Sequence, residues 1–491
     1  MFKEINKIVI VGGGTSAWFS AAYLAHTMKG VEVTLVDKEV GTPVGVGEGT
    51  LLYFDKFLTE CGFNTDDWFG EIDATFKSGI LFPNWGDKKD LIWHPFYLNS
   101  ENEKYDSSIY EAWTHHQHLD FHEMSAFYNI SMDNYVDADN LHLYAYHVDC
   151  GKLVAWLQKQ LENKITIIKS ELVNINRDQD GYVSSIVLND GQVIHGDLFI
   201  DCTGFKQILQ EDPKRINLDG RLFCDTAIAG HVPYINEEGE RHPYVVSEAV
   251  DHGWIWKIPV KTRIGSGLVF NRNITDVEEA KDYFCKHWNN RISKENLKVI
   301  DWTPYYLENP WQKNVVAIGL SGGFIEPLES TGLGTIISAI YGLQHRINAK
   351  YYTDDDIKIF NSLYVGMYED CIDFINMHYA YHPPTSPFWK WVKETRKESD
   401  LIHWYRRHIE TGERYANNGK NYFFGGANWY CWMLQSDEII NPSKGIDKEN
   451  ALKVIDSWEK HSKNSSNYVH HTDTLNSYHV YLKHKKRDLN T

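Results

Sequence analysis

One lysine, Lys77, stands in the run ATFKSGILF (74–82), which is otherwise apolar or small. Lysine is depleted in strands and rarely buried without a partner. Burial lowers its pKa and leaves a usable amine, a nucleophile toward an electrophilic species. Read as one strand, the run puts Lys77, Gly79 and Leu81 on one face and Phe76, Ser78, Ile80 and Phe82 on the other. With so little bulk at Gly79, Lys77 is either a surface group on an edge strand or the chemical group of an apolar channel.

A second set of residues specifies a ligand. Gly12, Gly14 and Ala17 fit the pattern G-x-G-x-x-G/A, with Thr15 and Ser16 opening the helix that follows. The three small residues serve a tight turn, close backbone approach to a pyrophosphate, and helix–strand packing. The helix N-terminus then receives the phosphates. Asp37 lies 23 residues beyond Gly14, placed to accept from ribose hydroxyls. The pattern alone does not separate FAD from NAD. Two later strand-to-turn segments, LFIDCTGF (198–205) and NVVAIGLSGGF (314–324), suit an FAD lying extended across a sheet.

The elements that must position these groups are legible in outline. KIVIVGG (7–13) and VEVTLVD (31–37) read as buried strands around a helix over 15–28, a βαβ unit. Residues 165–205 alternate strand runs with the turns DQDG and NDG, an antiparallel meander returning into LFIDC. Residues 221–270 read as largely β. Thr275, three before Glu278, opens an amphipathic helix as a capping box. NVVAIGL (314–320) is a buried strand, GLGTIISAIYGL (332–343) a helix, and the chain from about 354 is mainly helical, with a loop at 462–474. The expected fold is α/β. A Rossmann-type FAD-binding module with an inserted antiparallel sheet, residues 1–345, forms the tunnel region. A helical region, residues 346–491, completes the substrate pocket.

Composition narrows the class. The 491 residues are 42% hydrophobic and 24% charged, ordinary for a globular protein. Lys and Arg number 49 against 67 Asp and Glu, a net −18 that disfavours nucleic acid and anionic membranes as partners. The basic cluster HKKR (484–487) reads as a solvated tail, and no apolar run reaches the roughly 18 residues of a membrane helix. Seven scattered cysteines without a CxxC pair, and no signal-peptide pattern, lead to the expectation of a reducing cytoplasm. The histidines at 115–118 and 470–471 lack ligand spacing, so no metal is expected.

The sequence resembles the flavin-dependent halogenases of the tryptophan halogenase type. The segments that carry the likeness are IVGGGTSAW (10–18), GVGEGT (45–50), ATFKSGILF, YHVDCGKLV (146–154), LFIDCTGF, GWIWKIP (253–259), FIEPLESTG (324–332) and HYAYHPPTSPFW (378–389), in family order. The resemblance implies a flavoprotein-monooxygenase-like fold and FAD supplied reduced by a separate, transiently bound flavin reductase. It implies oxygen and halide as co-substrates, and hypohalous acid that passes through a tunnel to the substrate. It gives Lys77 the role of holding or capturing that oxidant. It gives Glu329 the role of stabilising the ring cation and removing its proton. The helix start at Thr331 and Gly332 becomes the halide site. Val173, Leu320 and Leu333 match positions that touch the flavin. Trp254 and Trp256, two apart and so on one strand face, wall the tunnel, with Pro259 ending that strand or placing it at an edge. His94, Phe96, Ser330 and Trp429, with Glu329, fall in the substrate pocket.

One departure bears on substrate. Tryptophan-specific members grip the amino group with an acid-rich stretch, and here the corresponding ANNGKNYFFGG (416–426) contains no carboxylate. The expected substrate is therefore a small electron-rich aromatic, an indole, a phenol or a larger ring system, and not free tryptophan. Bromide and iodide are easier to oxidise than chloride, so an open pocket would favour them. The alternatives are an aromatic hydroxylase on the same fold, a tryptophan halogenase proper, or a flavin binder without turnover. A monomer or homodimer is expected.

Overall fold

The computed structural model describes residues 3–38, 47–77, 79–86, 91–96, 144–411 and 423–435. The segment 416–422, the loop at 462–474, both histidine clusters and the basic tail lie outside the described residues.

A six-stranded sheet carries the nucleotide end. Its order is Trp311–Gln312, Val315–Ala317, Leu198–Asp201, Lys7–Val11, Glu32–Asp37 and Thr166–Lys169, parallel except at the Trp311 edge. Its central strands are runs of β-branched and apolar residues buried on both faces, as parallel sheets require. The first helix, Thr15–Thr27, follows the glycine turn and buries Ala17, Trp18, Phe19 and Leu24. Thr166–Lys169 thus joins the parallel sheet. Only the three following strands, Leu172–Arg177, Val183–Leu188 and Val193–His195, form the expected antiparallel meander.

A second sheet has seven strands, in the order Lys298–Asp301, Thr226–Val232, Arg263–Phe270, Gly253–Val260, Val245–Val250, Gly79–Pro83 and Leu91–Pro95. It is antiparallel except between Gly79–Pro83 and Val245–Val250. Trp256 stands opposite Gly267, where a Cβ would come within 2.1 Å of the indole, so the glycine makes room for the ring. Pro259 lies past the last pair with Val245–Val250, at Lys257, and so costs no ladder bond on that side.

The run ATFKSGILF is not one strand. Thr75–Lys77 pairs with Ala145–Asp149 in a separate three-stranded sheet, and Gly79–Pro83 belongs to the seven-stranded sheet. The chain changes sheets between Lys77 and Gly79, so face alternation does not carry from one to the other. The cap of the helix Val277–His287 also differs. Asp276 accepts from Glu278 N at 2.8 Å, while the backbone N–H of buried Thr275 is spent on Asn271 O. A carboxylate one residue closer wins because it reaches the first-turn N–H groups and complements the helix dipole.

The helices Thr331–Ile347 and Asp354–His378 pack on the same hydrophobic cluster as the Lys7–Val11 strand. That cluster also contains Phe374, Phe424, Trp429 and Trp432.

Candidate active site

A cavity of about 650 Å³ runs from the glycine turn to the helix start at Thr331. Gly12, Gly14, Thr15, Ser16 and Asp37 line one end, and Ser330, Thr331, Gly332 and Leu333 the other. Gly12 has φ +133°, and a Cβ there would sit 2.2 Å from Cys202 O. A Cβ on Gly13 would sit 1.8 Å from Asp37 Oδ2, whereas one on Gly14 would meet nothing within 4 Å. The glycines therefore let the backbone approach both the neighbouring strand and the acid. Open space remains over Gly14, at the N-terminus of a helix with no side-chain cap. That cradle fits a pyrophosphate. Ala17 is buried behind it in helix–sheet packing.

Leu320, Leu333 and Trp256 line the cavity. Trp254 is fully buried one step back, its ring 6.3 Å from that of Trp256. Val173 is placed differently from the expectation. Its side chain is 58% exposed, and the preceding residues Ser170, Glu171 and Leu172 line the cavity instead. A one-residue offset on a strand reverses the face.

Just behind the wall at Gly49 lies Lys77, fully buried, its Nζ donating to Thr50 O at 3.1 Å. Burial lowers its pKa to about 7, against a smaller upward pull from the Glu329 carboxylate. Amine and ammonium forms of the side chain then coexist near neutrality. Room for it comes from Gly49, where a Cβ would lie 3.0 Å from Lys77 Nζ and 2.8 Å from Ser330 Oγ. Gly49→Ala should therefore push the amine off its position. We expect kcat to fall about tenfold or more, because ångström-scale misplacement costs up to about 10²-fold. FAD affinity measured by flavin fluorescence should change little.

Glu329 is 2% exposed and meets two imidazoles. His94 Nδ1 lies 2.8 Å from Oε2, and His378 Nε2 bonds Oε1. Burial pushes the carboxyl up, but the two histidines outweigh it and hold the pKa at about 2. The outer nitrogen of each ring faces an acceptor. His94 Nε2 lies 2.9 Å from Asn428 Oδ1, and His378 Nδ1 lies 2.7 Å from Phe374 O. Burial disfavours the His94 imidazolium, yet Glu329 and Asn428 raise its pKa, whereas burial prevails at His378 and lowers it. Phe96 lies over the amine, 5.2 Å from Lys77 Nζ to the ring centroid. Trp429 stacks on Tyr405 at 4.6 Å and meets Phe374 edge-on at 5.2 Å.

Ser330, between Glu329 and the helix Thr331–Ile347, has φ +58°, a left-handed conformation that costs a non-glycine residue about 1 kcal/mol or more. It turns the chain so that Glu329 faces the histidines while the uncapped helix start faces the cavity. Glu48 Oε2 lies 3.8 Å from where a Cβ of Gly332 would be. Burial raises the pKa of Glu48, against a hydrogen bond from Cys150 that lowers it.

A flavin-sized cavity ending at a buried amine and a histidine-held carboxylate agrees with the comparisons. The family model for tryptophan halogenase matches residues 7–445. The chain belongs to the tryptophan halogenase family. The tryptophan 6-halogenase ThaL of Streptomyces albogriseolus is 28% identical over 475 residues, covering 88% of this chain and 89% of that protein. The tryptophan 7-halogenase RebH of Lentzea aerocolonigenes is 28% identical, covering 88% and 89%. A flavin-dependent halogenase from Xanthomonas campestris has a similar structure, with TM-score 0.85, 25% identity, and 97% and 98% of the two chains covered. The protein is thus a flavin-dependent halogenase, an oxidoreductase, with the mixed α/β architecture of those enzymes. Among the described residues, no helix is long and apolar enough to cross a membrane.

The structure of this halogenase brings Lys77, His94, Phe96, Glu329 and Ser330 together, with Trp429 in the aromatic layer behind Phe374. Five residues in and around this site had no assigned role in the sequence. Gly49 stands in the segment GVGEGT and His378 opens HYAYHPPTSPFW, both among the segments that carry the family likeness. Asp370, Phe374 and His378 recur at four-residue spacing on one helix face. Asn428 carried no signal of its own.

Proposed function

We propose that this halogenase installs bromine or iodine, in preference to chlorine, on an electron-rich indole-like or phenolic ring other than free tryptophan. The observation that carries the catalytic part is the fully buried Lys77 amine behind the cavity wall, electrostatically coupled to Glu329. FAD, delivered reduced by a separate reductase, supplies together with oxygen and halide the oxidising halogen species. Thr331 and Gly332 hold the halide with backbone N–H groups at the helix start. Trp256 and Trp254 keep organic substrate away from the flavin. Lys77 receives the oxidant and presents it to the ring. Glu329, ionised and fixed by His94 and His378, stabilises the positive ring and accepts its proton. Residues beyond 345 complete the pocket, as the contacts of His378 and Asn428 support.

The substrate reading rests on the absence of a carboxylate in residues 416–426. A site lacking the partner for an ammonium group gains nothing from the amino-acid moiety and must desolvate it. With reduced FAD, oxygen and bromide, kcat/KM for indole should exceed that for free tryptophan by about tenfold or more. The reverse order, measured by mass spectrometry of products, would make the enzyme a tryptophan halogenase proper.

A further inference from the structure

Asp370 lies on the helix Asp354–His378, one turn before Phe374 and two before His378. It is 3% exposed. Its Oδ2 accepts from two successive backbone N–H groups, Phe423 at 2.7 Å and Phe424 at 2.6 Å. Its Oδ1 is buried without a partner among the described residues. A half-satisfied buried carboxylate is a net cost to the fold.

What it holds leads back to the active site. Phe424 stacks on Phe374 at 4.2 Å, so one turn further along, the helix grips the same segment again. The next residue, Gly425, accepts through its carbonyl from Asn428 N at 2.9 Å and from Asn428 Nδ2 at 3.2 Å. With its Nδ2 committed there, Asn428 turns Oδ1 toward His94, which bonds Glu329 in turn. An unbroken series of contacts thus runs from Asp370 through the Phe423–Gly425 turn to Asn428, His94 and Glu329.

We propose that Asp370 is a positioning residue that clasps the Phe423–Asn428 segment over the substrate pocket, so that its ionised form keeps the pocket closed on the aromatic ring. This rests on the reading of that pocket as the substrate site. Among the described residues, the ionisable groups that share its surroundings are Asp373 and Cys371 on its own helix; Asp373 is paired with Arg221 at 2.8 Å. Burial raises the Asp370 pKa to about 6, against the two N–H groups that lower it. The clasp therefore weakens as pH falls through about 6. A raised carboxyl pKa also means that the ionised form costs stability above the unfolded value, so the charge is retained at the expense of the fold.

Asp370→Asn, of equal size, removes the charge. In the full chain, exchange of the Phe423 and Phe424 amides read by mass spectrometry should speed up about tenfold at pH 8. KM for indole should rise about fivefold with kcat within about twofold, and the rise of the wild-type KM between pH 8 and pH 5.5 should disappear. Tm should not fall. Unchanged exchange overturns the clasp whatever reaction the enzyme performs. Faster exchange with an unchanged KM, or a parallel loss of Tm, kcat and KM, also overturns it and leaves Asp370 a fold residue. Failure to halogenate any aromatic would instead count against the substrate-site reading, and the exchange result would still decide the clasp.

Discussion

Lys77→Ala is expected to lower the halogenation rate by about 10³-fold, the scale seen when a charge-bearing group is removed from a preorganised site. FAD affinity and hydrogen peroxide release should be retained, because Lys77 lies behind the cavity wall and no flavin-cradling residue depends on it. Stopped-flow oxidation of bound reduced FAD, alongside product analysis, separates the two effects. Loss of FAD binding would give Lys77 a structural role. The wild-type pH profile carries a second signature. With its folded pKa lowered to about 7, the side chain is an ammonium below that pH and an amine above it. A Lys77 that captures the oxidant as an amine gives a kcat that rises through pH 7 and levels above it. A fall through pH 7 would indicate that the ammonium form works by hydrogen bonding. The limb should be absent from the residual activity of Lys77→Ala.

Glu329→Gln should lower kcat by about 10²-fold, within the range that general acid–base groups contribute. The amide keeps the size and one acceptor oxygen but loses the charge that stabilises the ring cation. It also turns an N–H donor toward one imidazole. Because the carboxyl pKa is held at about 2, wild-type Glu329 stays ionised across any working range, and no acid limb above pH 4 belongs to it. An acid limb that survives in Glu329→Gln therefore belongs to another group. KM should change little, since the carboxylate acts on the charge that develops in the reaction. A variant that lost affinity and kept kcat would make Glu329 a substrate-binding residue only.

The nucleotide end was legible because local signals agreed there. β-Branched runs, a glycine turn, helical spacing and a terminal acid all fell within one short segment. The structure moved their boundaries by no more than a residue or two. The surroundings of Lys77 were less so. In ATFKSGILF the lysine proves to be buried, but the local reading of its surroundings does not hold. Period-two alternation assumes a continuous strand, and the chain passes here from one sheet to another. Space for Lys77 comes from Gly49, on a strand whose neighbour Ala145–Asp149 is almost a hundred residues further along the chain. Long-range juxtaposition of that kind leaves no trace in spacing. The same applies to Glu329. Its position before a helix was readable, but its two imidazoles come from a strand and from the far end of another helix. Val173 shows the converse limit, since it falls at a break in the ladder register between Leu172 and Asn174 and its side chain is exposed. Asp370 holds backbone N–H groups and Asn428 is oriented by a backbone carbonyl, and those partners carry no residue-type signal.

The most direct test of the account is product analysis of the wild-type enzyme given reduced FAD, oxygen, bromide and indole. Oxidant held by Lys77 beside a fixed ring should yield monobromoindole substituted at one carbon. Hydroxylated indole, or the same scatter of brominated isomers that free hypobromous acid gives without enzyme, would contradict it.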